Sequence, residues 1–145
     1  EHSPDKEIGT FPITLTAAGR ANPKFAHFGE TLDVGHWHND MPGLTADATV
    51  IAQSEGCPRQ IVQYSPLVYG FQCLMEFNRE VVALLIAAST QELDAFRSSR
   101  FVQQPAELLA QGYAAMKKVL FTFLDKLLAA FEGSGGPRPA SAADA

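Results

Sequence analysis

The chain has 145 residues, of which 46% are hydrophobic, and a formal charge of −5. That is enough for one ordinary domain with its own core, and the acidic balance leaves no basic footprint for nucleic acid. No apolar run reaches the roughly 18 residues that argue for a membrane span, and Glu1-His2-Ser3-Pro4-Asp5 has neither the cationic start nor the apolar run of a signal peptide.

Residues 11–16 alternate, with Phe11, Ile13 and Leu15 on one side and Thr14 and Thr16 on the other, which predicts a strand of period two. Residues 17–23, Ala-Ala-Gly-Arg-Ala-Asn-Pro, read as a turn. Residues 31–37 are again extended, with Leu32 and Val34 on one face, until Pro42-Gly43 punctuates the chain. Three short strands are expected over 49–53, 60–65 and 68–73, and their connections are short enough for an antiparallel meander.

Asn78 is placed to cap a helix over 79–88, because its side chain can accept an orphan amide of the first turn. A second helical stretch covers 92–98. The strongest helical pattern runs over 105–131, with Pro105 in the first turn and an apolar stripe of Leu109, Tyr113, Met116, Leu120, Phe123 or Leu124, and Leu127. Lys117, Lys118 and Lys126 fall in its C-terminal half, where cations complement the helix dipole. From Gly133 the composition of Gly, Ser, Pro and Ala predicts a disordered tail. Strands followed by helices, without strand–helix alternation, predict an α+β chain of short antiparallel or mixed strands with C-terminal helices.

Cys57 and Cys73 show no framework spacing, so buried small side chains in a reduced, cytoplasmic chain are expected. His36-Trp37-His38-Asn39-Asp40 spells His-x-His-x-Asp, the opening of the metal motif of the metallo-β-lactamase fold. In an extended segment the two imidazoles share a face. Met41 stands where that motif has another His, however, and His2 and His27 lie upstream, so surface or loop histidines and no metal are the expectation.

One strand carries the most information. Val68-Tyr69-Gly70-Phe71-Gln72-Cys73-Leu74-Met75-Glu76-Phe77 resembles the end of a class I glutamine amidotransferase domain of the GMP-synthase type, which reads roughly Gly-x-Gln-x-His-x-Glu. Gly70, Gln72 and Glu76 match, and Leu74 occupies the His position. Residues 1–9, 36–40 and 54–60 follow the family's order over roughly the first 90 residues, and the helical tail resembles the C-terminal extension of stand-alone members.

The resemblance implies the second half of an α/β, flavodoxin-like domain over 1–90, a helical extension over 91–132 and the tail over 133–145. The family's first half carries a Gly-x-Cys-x-Gly nucleophile elbow, which this sequence lacks, so the chain reads as a truncated domain. The family reaction hydrolyses L-glutamine to glutamate and ammonia through a Cys-His-Glu triad. By that resemblance Glu76 is a triad remnant and His38, Asn39 and Asp40 flank bound glutamine, with no cofactor.

A thiolate, an imidazole and an orienting carboxylate act as a unit, and leucine can neither accept nor donate a proton. The chain alone is therefore expected to be a pseudoenzyme. The competing expectation is a non-catalytic interaction or regulatory module working through the long helix. Expected partners are L-glutamine, a separate N-terminal half, or a second copy through that helix, with neither nucleic acid nor membrane. An exposed sheet edge would leave such a fragment marginally stable or self-associating.

Overall fold

The computed structural model describes residues 1–135. Five strands, β1 (His2–Leu15), β2 (Thr31–Asp40), β3 (Thr49–Gln53), β4 (Ile61–Ser65) and β5 (Val68–Phe71), form one antiparallel sheet in the order β2-β1-β3-β4-β5. The helices are α1 (Ala17–Ala21), α2 (Arg79–Ala88), α3 (Thr90–Ala95), α4 (Pro105–Ala110) and α5 (Ala114–Gly133). This is an α+β chain, with the expected meander at β3, β4 and β5.

The sheet curls until its two edges meet. Beyond β5, Leu74 exchanges two backbone hydrogen bonds with Gly35 of β2, at 2.8 and 3.1 Å. Only glycine fits at that seam: a Cβ at position 35 would lie 2.5 Å from the Phe77 ring and 2.6 Å from the Leu74 carbonyl oxygen. Joining the edges satisfies backbone groups that would otherwise face solvent as an open edge.

Ile8, Ile13, Phe25, Val34, Ile51, Met75 and Phe123 belong to one apolar cluster. The Phe123 ring of α5 packs at a tilt against Phe25 and Phe71, with centroids 4.9 and 5.2 Å apart, so the last helix shares its core with the sheet. Among the described residues, no helix is long and apolar enough to cross a membrane.

Several expectations need correction. The first strand reaches back to His2, because residues 7–10 bond β2 on one side while Ile8 bonds Phe101 and Gln103 on the other. The expected turn at 17–23 is instead α1, capped by Thr16, followed by a single 3-10 turn over Pro23–Phe25. Gly19 lets α1 approach β3 closely, since a Cβ there would meet the Ile51 carbonyl oxygen.

β2 runs on to Asp40, whereas β5 stops at Phe71, because Gln72 turns away to bond the Gln60 carbonyl. Cys73 therefore lies past the strand rather than within it. The Asn78 cap and α2 stand as expected, with the Asn78 side chain accepting from the Val81 amide at 2.9 Å. α3 starts and ends earlier than the expected 92–98.

The expected helix over 105–131 is two helices. Gln111-Gly112-Tyr113 breaks it, and the Tyr113 hydroxyl donates to the Leu108 carbonyl at 2.8 Å across the break. Lys117 and Lys118 thus sit near the start of α5, where the dipole does not favour them. Tyr113, Met116 and Phe123 are the buried members of the stripe, and Leu124 is exposed. Gly133 ends α5, and residues 136–145 of the expected tail lie outside the described residues.

Candidate functional site

β1 and β2 pair so that Glu7 lies opposite His38 and Gly9 opposite His36. Directly opposed residues of an antiparallel pair share a face, so Glu7 and both imidazoles converge. Glu7 and His36 are 0% exposed and His38 9%. The histidines expected at the surface or in a loop are thus buried strand residues, although they do share a face.

Hydrogen bonds give the cluster its internal order. His36 Nε2 lies 3.2 Å from the Phe11 carbonyl, so it carries the proton, and the Nδ1 lone pair points inward. That Nδ1 is 3.4 Å from His38 Nε2 and 3.5 Å from Glu7 Oε2. His38 Nε2 lies 3.1 Å from Glu7 Oε2 and donates to it. Ser54 Oγ donates to Glu7 Oε1 at 2.8 Å, and Gln60 Nε2 donates to Glu7 Oε2. His38 Nδ1 and Gln60 Oε1 are buried without a partner among the described residues.

The loop between β3 and β4 closes the far side. Gly56 allows its approach, since a Cβ there would sit 2.9 Å from Glu7 Oε1. This brings buried Cys57 close enough that its sulfur and ligand atoms of Glu7 and His38 all lie within 4.8 Å of one another.

Burial pushes the Glu7 carboxyl up, but the hydrogen bonds from His38 and Ser54 and the nearby imidazoles outweigh it and leave the group below its ordinary value. Burial pushes the His36 imidazole down to about 4 against the pull of Glu7. A neutral His36 supplies little charge, so the hydrogen bonds are what hold Glu7 ionised. Cys73, buried in apolar surroundings, has its thiol raised far above the ordinary range and is no nucleophile.

The residues expected at a glutamine site are distributed differently. Leu74 forms the seam with Gly35. Glu76 is exposed and makes no hydrogen bond or ion pair among the described residues. Asn39 and Asp40 are exposed at the end of β2, where Asp40 pairs with His2 at 2.8 Å. His38 points instead into the buried cluster.

Reasoning from sequence missed Glu7, Ser54 and Gln60 as members of one site. The available signal was a carboxylate directly before Ile8 in a segment flanked by strand residues, together with Ser-x-x-Cys-x-x-Gln in the loop at 54–60.

No protein-family model matches the chain. It is 60% identical over 125 residues to the glutamine amidotransferase-like protein YfeJ of Salmonella typhimurium, covering 86% of this chain and 52% of that protein. The crystal structure of SMU.1228c superposes with a TM-score of 0.84 at 46% identity, over 88% of this chain and 54% of the other. A glutamine amidotransferase of Thermotoga maritima gives 0.72 at 24% identity, over 88% of this chain and 53% of that one, a likeness of fold alone. The chain spans about half the length of the relatives it matches.

Proposed function

We propose that this relative of the class I glutamine amidotransferases is the C-terminal half of such a domain, and that it does not hydrolyse L-glutamine as it stands. The observation that carries the reading is Leu74. Whatever precedes Glu1 in the gene product, position 74 offers no imidazole to take a proton from a nucleophile or return it to leaving ammonia. The seam with Gly35 fixes the Leu74 backbone, so a neighbouring residue cannot slide into its place without breaking two hydrogen bonds. Glu76 retains a carboxylate where the family has its orienting acid, with no imidazole two residues earlier to orient. Asn39 and Asp40 are exposed at the end of β2, where a small polar ligand such as glutamine can reach them.

The test is a glutaminase assay on three samples. These are the chain alone, the chain mixed with the N-terminal half of YfeJ, and that mixture carrying Leu74→His. Ammonia release in the third sample only is expected. Turnover by either sample that keeps Leu74 contradicts the proposal.

A second reading is favoured by α5. Phe121, Leu124 and Leu128, spaced three and four residues apart, are 58%, 43% and 48% exposed along one stripe. An apolar stripe of this kind suits pairing with the same stripe of a second copy. In this reading the chain is an interaction module. A mass that stays monomeric by light scattering across the accessible concentration range removes it.

A further inference from the structure

The buried cluster has a use that glutamine chemistry does not require. We propose that Glu7, His36, His38 and Cys57 bind one divalent transition-metal cation of the zinc type, held as a structural ion where β1, β2 and the loop between β3 and β4 meet. Three inward atoms, Glu7 Oε2, His38 Nε2 and His36 Nδ1, form a triangle with edges of 3.1, 3.4 and 3.5 Å. Zinc bonds to oxygen and nitrogen of about 2.0–2.2 Å, arranged as a tetrahedron, set ligand-to-ligand edges of roughly 3.3–3.5 Å. The triangle is therefore already one face of such a polyhedron.

Cys57 supplies the fourth corner. Its sulfur lies within 4.8 Å of the Glu7 and His38 ligand atoms and farther from His36, and about 3.5 Å is needed, so the Cys57 side chain closes the site by moving in by somewhat more than 1 Å.

The donor set selects the ion. Two imidazoles, a carboxylate and a thiolate suit zinc and cobalt, whereas calcium and magnesium take oxygen ligands. The outer contacts are those of a ligand shell: His36 gives its Nε2 proton to the Phe11 carbonyl, and Ser54 and Gln60 hold the carboxylate.

Charge and protons balance. On binding, the Cys57 thiol releases its proton to solvent, and the His38 proton moves from Nε2 to Nδ1, which has no hydrogen-bond partner among the described residues. A dication, one carboxylate, one thiolate and two neutral imidazoles then sum to zero inside the protein, which removes the cost of an isolated buried charge.

The experiment uses the chelator-treated chain and cobalt(II) alone as the probe. A thiolate-to-cobalt charge-transfer band that saturates at one cobalt per chain, with the visible bands of a four-coordinate ion, is expected. Zinc should bleach both. Cys57→Ser should abolish the charge-transfer band and Cys73→Ser should leave it. Ser54→Ala, which loosens the Glu7 carboxylate, should weaken uptake about 10- to 100-fold. Absence of a saturable one-to-one band, or a band lost with Cys73 rather than Cys57, overturns the proposal. Should Cys57→Ser fail to fold, zinc absorption fine structure on the unmodified chain decides. One sulfur with three nitrogen or oxygen neighbours supports the site, and any other sulfur count contradicts it.

Discussion

Two groups of polar residues in this fold have opposite fates. Glu7, His36 and His38 sit at the end of the regular β1–β2 register, buried and bonded to one another. Asn39 and Asp40 lie just past that register and Glu76 in the segment after β5, all exposed, and among the described residues only Asp40 of the three holds an ion pair. Asp40 even shares the strand parity of His38, but the irregularity in β1 between His2 and Glu7 separates the two environments. The Glu7 carboxylate in the first group is held below its ordinary value by hydrogen bonds from its neighbours. Residue type alone says little about chemistry here, and burial decides it.

Removing a carboxylate from each group should break the symmetry most strongly. Glu7→Ala leaves Ser54, Gln60 and His38 without their common acceptor, and a loss of about 3–5 kcal/mol is expected in denaturant unfolding. A loss near zero would mean that water enters the cluster freely.

Acid should act on the same group. His36 has a folded-state value near 4, against an ordinary value of 6.5. The unfolded chain therefore binds the extra proton first. The stability contribution is complete above about pH 6.5 and falls away as the pH drops towards 4, by roughly 3 kcal/mol for this group. The lowered Glu7 value has the same sign, being lost as that carboxylate is protonated. Melting of the chelator-treated chain between pH 7 and pH 4 checks this.

The seam comes next. Gly35→Ala forces a Cβ against the Phe77 ring and the Leu74 carbonyl, at an expected cost of about 1–3 kcal/mol with local loosening around Leu74. Amide exchange at Leu74 and Gly35 should quicken before exchange in β3. At the small end, Glu76→Gln should change stability by no more than about 0.5 kcal/mol, since nothing in the described structure depends on that carboxylate.

What could be read from the sequence was what local chemistry determines. The meander at β3, β4 and β5 followed from short alternating runs with tight connections, and the Asn78 cap from a side chain acting three residues away. Leu74 stood out because its neighbours matched a motif and it did not.

The buried cluster could not be read in this way. It joins residue 7 to residues 36 and 38 through strand register, and then to residues 54–60 through a loop that Gly56 allows to approach. The Ser-x-x-Cys-x-x-Gln run marks the loop, but nothing local says which strands it meets. The helix break failed for a different reason: an apolar stripe continues in phase across Gly112, and the stripe outweighed the breaker. The curl of the sheet was hidden because its closing contact, Gly35 with Leu74, spans 39 positions.

The contrast between the two groups rests on His36 being neutral, with its proton on Nε2 and its lone pair facing Glu7. Nitrogen-15 imidazole spectra of the chelator-treated chain, recorded through an acid titration, test this most directly. One histidine should hold the Nε2-protonated neutral form down to about pH 4, and that resonance should vanish in His36→Gln. If His36 instead gains its second proton near the ordinary value of 6.5, the cluster is wet and the distinction between buried and exposed residues does not hold.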